Sequence, residues 1–120
     1  MPSRRFLHLV ALAALTLALP ACSGPLAPPL EAFHEGRLPE AASAFRRLEP
    51  GLGELSRSDR ARYALYRGLA HLGLGDARAA DRWLSLAKRL EHEDPRAFDA
   101  AERGELYAAW RSMGHLAGDD

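Results

Sequence analysis

The sequence predicts an all-α protein: about five helices, forming two helical hairpins and a capping helix, after a cleaved signal peptide. The strongest indication is the stretch 63–90, where apolar residues recur at helical spacing before and after Gly73-Leu74-Gly75-Asp76. This pattern is typical of two antiparallel helices joined by a tight turn. A second indication is that Gly36, Gly75 and Gly114 follow one another at equal intervals along the chain, which predicts repeated units.

Small and large residues have different structural roles within the hairpin 63–90. Gly68 and Ala80 would let the two backbones approach closely, while Trp83, Leu84 and Leu69 supply apolar area. Burying one such side chain is worth roughly 1.5–3 kcal/mol, which offsets the cost of ordering a hairpin only in part. The hairpin therefore needs neighbouring helices. Because fewer than three full repeats make a small core, a partner or a second copy of the chain would complete it.

The N-terminal segment 1–21 is predicted to be a signal peptide. Arg4 and Arg5 precede the apolar run 6–19, which is too short to span a bilayer permanently. The single cysteine, Cys22, follows Leu19-Pro20-Ala21 at the expected cleavage site. One cysteine cannot form an intramolecular disulfide.

These residues resemble the lipobox of bacterial lipoproteins, with Leu19 and Ala21 matching and Pro20 departing from the pattern. The resemblance implies cleavage before Cys22 and a covalent lipid on its sulfur; the alternative is an ordinary signal followed by a free cysteine. Several acyl chains give stable membrane anchoring. Ser23, where an enteric aspartate would favour the inner membrane, implies the outer membrane, facing the periplasm.

Charge and linker length restrict the partners. Removing residues 1–21 removes Arg4 and Arg5, which leaves 14 basic side chains against 16 acidic ones. We therefore expect no nucleic-acid binding. Residues 22–29 are predicted to be the lipidated cysteine and a short proline-rich linker, and residues 30–117 the helical domain, which must then lie close to the membrane.

Helix boundaries can be predicted along this domain. Prolines are expected to forbid helix until Pro29, and a second helix is expected to open at Pro39 and stop at Pro50-Gly51-Leu52-Gly53. Ser56 followed by Asp59 predicts a helix N-terminus.

At the far end, Asp94 is the expected N-cap of the last helix, which carries Phe98 to Met113. Residues 115–120 are expected to fray, with 118–120 as a disordered tail.

The repeated positions resemble the tetratricopeptide repeat over roughly residues 29–117. In the second repeat the matching positions are Gly68, Gly75, Ala80, Leu84 and Ala87; in the first they are Gly36, Ala41 and Phe45. The resemblance implies a TPR-like array whose first helices line a concave groove. The alternative is a five-helix bundle in which the repeated spacing of these residues arises by chance.

No pattern of residues predicts catalysis or a resident cofactor. The histidines that follow the signal are scattered singly, without metal-ligand spacing, and the sequence has no GxSxG or phosphate-binding loop motif. His92, among Glu91, Glu93 and Asp94, could form a weak cation site or simply a charged helix end. We expect a protein that is not an enzyme and has no cofactor besides the lipid.

Aromatic and arginine side chains mark the candidate partner-binding face, because these residue types often carry binding energy. The alternatives are a solvated face with snorkelling arginines and, for the tryptophan, core packing. The candidates are Arg62, Tyr63, Tyr66, Arg67, Leu69, Tyr107 and Trp110.

The predicted function is that of an outer-membrane-anchored periplasmic adaptor or accessory factor of an envelope assembly or secretion machine. Its partner would be an envelope protein or a peptide segment. The alternative functions are a periplasmic lipoprotein that binds a small molecule or cell-wall fragment and a structural lipoprotein that self-associates.

Overall fold

The computed structural model describes residues 24–115, and every regular element in this part of the chain is helical. The prediction of an all-α fold with five α-helices is confirmed. The predicted signal peptide, Cys22 and the predicted tail 118–120 lie outside the described residues. The α-helices are α1 (Ala27–His34), α2 (Leu38–Leu48), α3 (Arg57–Gly73), α4 (Ala77–Glu93) and α5 (Ala100–Ser112). Two 3-10 helices, Glu49–Glu54 and Pro95–Ala97, lie between them.

The helices form two hairpins and a final single helix. Helix α1 packs on α2, and α3 packs on α4 along their lengths. Helix α2 also contacts α3, which joins the two hairpins, while α5 packs against both α3 and α4. Because α3 contacts every other α-helix, it is the centre of the fold.

The three equally spaced glycines have the same local structure. Gly36, Gly75 and Gly114 have φ values of 77°, 78° and 88°, a conformation that favours glycine. Each follows the end of an α-helix in a Schellman motif, in which two backbone N–H groups bond back to the last turn. For Gly75 these bonds are Gly75 N to Leu72 O at 3.1 Å and Asp76 N to His71 O at 2.9 Å. The equal spacing therefore reflects three equivalent helix ends.

The core lies between the two hairpins and is centred on Tyr63 of α3. The ring of Tyr63 is fully buried and meets Phe45 of α2 at 5.3 Å and Trp83 of α4 at 5.5 Å, both edge to face. Ala41 and Ala80, which occupy equivalent repeat positions, are both 0% exposed. Small residues at these positions let the second helix of each hairpin lie close to the core.

The closest approach of α3 and α4 occurs at Gly68. A β-carbon built on Gly68 would lie 2.7 Å from Leu84 Cγ and 3.1 Å from the Leu84 backbone nitrogen. Leu84 itself is fully buried. The expectation that Gly68 permits a close contact between the hairpin helices is thus confirmed.

The first helix begins earlier than the sequence suggested. Helix α1 starts at Ala27, with Pro28 and Pro29 in its first turn, so the expectation that prolines forbid helix before Pro29 was wrong. Proline is tolerated there because the first N–H groups of a helix have no intrahelical partner. Leu26 is only 2% exposed and belongs to the core, so the packed part of the chain begins before residue 30, where the helical domain was predicted to start.

The start of the last helix was also placed incorrectly, although Ser56 does cap α3 by accepting a hydrogen bond from Asp59 N at 3.1 Å. Asp94 caps only the short 3-10 helix, and α5 starts at Ala100. Its cap is Asp99, whose carboxylate accepts from Glu102 N while Glu102 accepts from Asp99 N, a complete capping box. Phe98 is extended and buried rather than helical.

The second helix stops where the sequence predicted. Helix α2 ends at Leu48, and the chain continues from there as the 3-10 helix Glu49–Glu54, because proline fits the first turn of a helix. His115 was expected to fray, yet its ring stacks on Trp110 at 4.0 Å and its Nε2 lies 3.0 Å from Asp81 Oδ1.

Two glycines in the interior of helices give a matched test of the close contact. Gly68→Ala gains helix propensity but forces a methyl group against Leu84, and we expect it to lower the free energy of unfolding by about 1–3 kcal/mol. Gly104→Ala, on an exposed part of α5 with nothing within 4 Å, should raise it by up to about 1 kcal/mol. Urea unfolding followed by circular dichroism measures both changes. Stabilisation by both substitutions would contradict the close packing of α3 on α4.

Candidate functional site

Most of the predicted partner-binding residues are buried within the fold. Tyr63 is 0% exposed, Trp110 is 5% exposed, and Tyr66 and Arg67 are each 6% exposed. The prediction that these four side chains form a partner-binding face was therefore wrong. Helix α3 packs against helices on several sides. Tyrosine and arginine side chains that its sequence pattern would place on a solvent-exposed face are therefore buried.

Arg67 and Tyr63 hold three elements together. The Tyr63 hydroxyl donates a hydrogen bond to the Phe45 carbonyl at 2.7 Å, and Arg67 Nη1 donates to the same hydroxyl at 2.7 Å. The Arg67 guanidinium also lies 4.2 Å from the centre of the Trp83 ring and 3.4 Å from Glu49 Oε1. A buried cation is stable only with such partners, so Arg67 is a structural residue that ties α3 to α4 and to the end of α2.

Tyr66 is covered by the end of α1. The rings of Phe33 and His34 meet it edge to face at 5.2 and 5.6 Å. Burial raises the pKa of the Tyr66 hydroxyl to about 12, so the hydroxyl is neutral at physiological pH. Tyr66 therefore contributes packing rather than charge.

The remaining two polar candidates attach α5 to the second hairpin. Arg62 is half-buried, and its Nε lies 2.9 Å from Glu102 Oε2. The Tyr107 hydroxyl donates to Glu91 Oε1 at 3.0 Å, and the Lys88 ammonium lies 4.5 Å from the centre of the Tyr107 ring. These interactions hold α5 beside α3 and α4.

Leu69, another of the predicted residues, lines an open apolar groove. The groove has a volume of about 570 Å³ and lies between α1, α3 and α5, with the start of α2 at one end. These three helices are the first helix of each hairpin and the final helix, where a concave groove was expected. The lining residues are Phe33, Leu38, Leu69, Leu72, Gly73, Glu105, Ala108, Ala109 and Ser112.

The lining of this groove is almost entirely apolar. Among the described residues, Glu105 is the single charged residue of the lining, and Leu69, Leu72 and Phe33 are partly exposed while packing on the core. Ala108 is exposed and leaves the wall formed by α5 without a large side chain. Sequence reasoning missed Phe33, Leu72 and Ala108, although Leu69 and Leu72 share a helix face one turn apart.

A second concave surface, of about 440 Å³, lies beside α4 and the end of α5. Polar side chains line it, including Asp81, Lys88 and Arg89. A small-molecule binder would need such converging groups, but the Trp110 ring at this site is covered by His115 and offers almost no exposed face. The groove with Leu69 is therefore the better binding candidate.

Residues 24–115 contain neither a metal-binding cluster nor a membrane span. In this range no three His, Cys, Asp or Glu side chains lie close enough together to hold a metal ion. None of the helices there has the length and apolar character needed to cross a bilayer.

The role assigned to Tyr63 can be tested with two tyrosine variants. Tyr63→Phe removes the hydroxyl that bridges Arg67 and the Phe45 carbonyl, and we expect a loss of about 1–3 kcal/mol in the free energy of unfolding. Tyr107→Phe, at a partly exposed position whose acceptor Glu91 Oε1 also lies 3.6 Å from Arg103 Nε, should cost less than about 1 kcal/mol. Thermal and urea unfolding measure both. Equal effects would contradict the structural role of the buried hydroxyl.

No family model, no curated protein and no solved structure matches this chain.

Proposed function

We propose that this chain is a lipid-anchored periplasmic adaptor that binds an apolar segment of another envelope protein in the groove between α1, α3 and α5. It performs no catalysis of its own. The partner segment is an amphipathic helix or an extended stretch that places large apolar side chains against Leu69 and Leu72. The proposal depends chiefly on one observation, the open apolar groove lined by the first helices of the hairpins.

The chemistry of the groove supports a protein partner. A lining with a single carboxylate offers few groups to orient a small polar ligand, whereas it can bury the apolar side chains of a peptide. Each large apolar side chain transferred from water is worth roughly 1.5–3 kcal/mol. Glu105 at the wall gives one polar contact that fixes the direction of the segment.

The position of Cys22 supports a partner in the envelope. The lipobox-like residues Leu19 and Ala21 favour a lipid on Cys22, and Leu26, a few positions later, belongs to the core. So short a stretch of chain spans at most about 14 Å. An anchored protein would therefore hold its groove beside the membrane surface, and the sequence features favour the outer membrane.

Photo-crosslinking in the native host tests the groove. A photoreactive phenylalanine derivative in place of Ala108 should form a covalent adduct with one envelope protein, because position 108 faces the groove. Mass spectrometry of the adduct should place the crosslink in an apolar segment of that protein.

The matched control uses Ala101, an exposed alanine on the same helix that does not line the groove. The same photoreactive residue at position 101 should give no adduct or a weak one. Adducts of equal yield from both positions, or adducts with lipid alone, would exclude the groove as the partner site.

The anchor is tested by Cys22→Ser. We expect this variant to leave the membrane fraction, because a serine hydroxyl cannot receive the thioether-linked lipid, while Ser23→Ala stays with the membrane. Fractionation after a high-salt wash, with mass spectrometry of the purified protein, measures the change. An unmodified Cys22 sulfur in wild-type membranes would show that no lipid anchor exists.

A further inference from the structure

A cleft rich in arginine lies on a different side of the second hairpin. It has a volume of about 320 Å³ and is formed by the end of α2, the end of α3 and the start of α4. It shares no lining residue with the apolar groove. Its charged and titratable lining residues are Arg46, Arg67, His71, Asp76, Arg78 and Arg82.

Two nitrogen atoms buried at this cleft have no hydrogen-bond partner among the described residues. They are Arg67 Nε and His71 Nε2, on residues that are 6% and 7% exposed. The His71 Nδ1 atom lies 3.8 Å from Asp76 Oδ2, which is beyond hydrogen-bond distance. Arg103 Nε and Trp110 Nε1 likewise have no hydrogen-bond partner among the described residues. Arg67 and His71 differ from them in that both residues line one cleft, where a bound acceptor would satisfy nitrogens that are ordinarily paired.

The charges around the cleft do not balance. Arg82 and Arg67 share one carboxylate, Glu49, at 3.8 and 3.4 Å. Arg46 and Arg78 are exposed and form no ion pair with any described residue. Asp76 is the only acid that lines the cleft within residues 24–115, and its Oδ1 accepts a hydrogen bond from Ala79 N at the start of α4.

The protonation of His71 agrees with this surplus of positive charge. Burial, and then the nearby charges of Arg67 and Arg46, lower the pKa of the His71 imidazole, although Asp76 acts in the opposite direction. The imidazole is therefore neutral at physiological pH. An anion placed in the cleft would oppose the arginine charges and raise that pKa.

We propose that this cleft binds a phosphate group, either as free inorganic phosphate or as the head group of a phospholipid. Guanidinium groups match phosphate oxygens with paired, charge-assisted hydrogen bonds, and here they come from three different helices. The volume of the cleft is ample for a phosphate group. Arg46, Arg78 and Arg82 reach it from the rim, while Arg67 and His71 supply the unpaired nitrogens below.

Binding is tested on the full chain in a non-ionic detergent, with inorganic phosphate as the probe at low ionic strength. Calorimetry should give saturable binding, and NMR titration should show a higher His71 pKa when phosphate is present. The double variant Arg46→Gln/Arg78→Gln should weaken binding by about tenfold or more, because it removes two charged donors. Both side chains are exposed and unpaired, so the variant should unfold at the wild-type temperature.

The matched control is Arg96→Gln/Arg111→Gln, which removes two exposed arginines outside the cleft. It should bind phosphate as the wild type does. If both double variants weaken phosphate binding equally, binding depends on the net charge of the protein and not on the cleft, and the proposal is wrong. A titration that does not saturate and leaves the His71 pKa unchanged would also overturn it.

Mixed micelles distinguish the two sources of phosphate. If phosphatidylglycerol in the micelles displaces inorganic phosphate from the wild type but phosphatidylcholine does not, the lipid head group is the ligand. If neither lipid competes while inorganic phosphate binds, the free ion is the ligand. Both results support the cleft. Neither depends on the apolar groove, so the two proposals fail separately.

Discussion

The contact between Gly68 and Leu84 is the constraint on which the rest of the structure depends. With no side chain at position 68, α3 and α4 approach until the Leu84 side chain fills the space. That approach brings Trp83 close enough to Tyr63 and Arg67 for ring and cation contacts. Helix α2 then completes the network through Phe45. A close approach of two backbones thus organises three helices.

The two concave surfaces follow from how this stack is built. Helix α3 contributes Leu69 and Leu72 to the apolar groove, and Arg67 and His71 to the arginine cleft. Because residues on one helix point in different directions, α3 serves both surfaces without sharing a side chain between them. A segment bound in the groove and an anion bound in the cleft could occupy the protein together.

The sequence predicted features that are set locally. The turns at Gly36 and Gly75 and the cap at Ser56 depend on a few neighbouring residues, so their signals can be read directly. Burial of Tyr63 and Arg67 depends on how many helices surround α3, and periodicity on one helix does not report this. Of the residues predicted to bind a partner, only Leu69 lies in the apolar groove. In the cleft, Arg78 and Arg82 were readable as neighbours one turn apart, but His71 and Arg46 come together only in three dimensions.

Glu102 makes two interactions that link the first turn of α5 to helix α3. Its carboxylate closes the first turn of α5 by accepting from Asp99 N, and it also pairs with Arg62 of α3. The N-terminal cap of α5 and the ion pair that attaches α5 to α3 therefore depend on the same carboxylate. Loss of the Glu102 carboxylate would therefore weaken two things at once: the first turn of α5, and the contact that holds this wall of the apolar groove against α3.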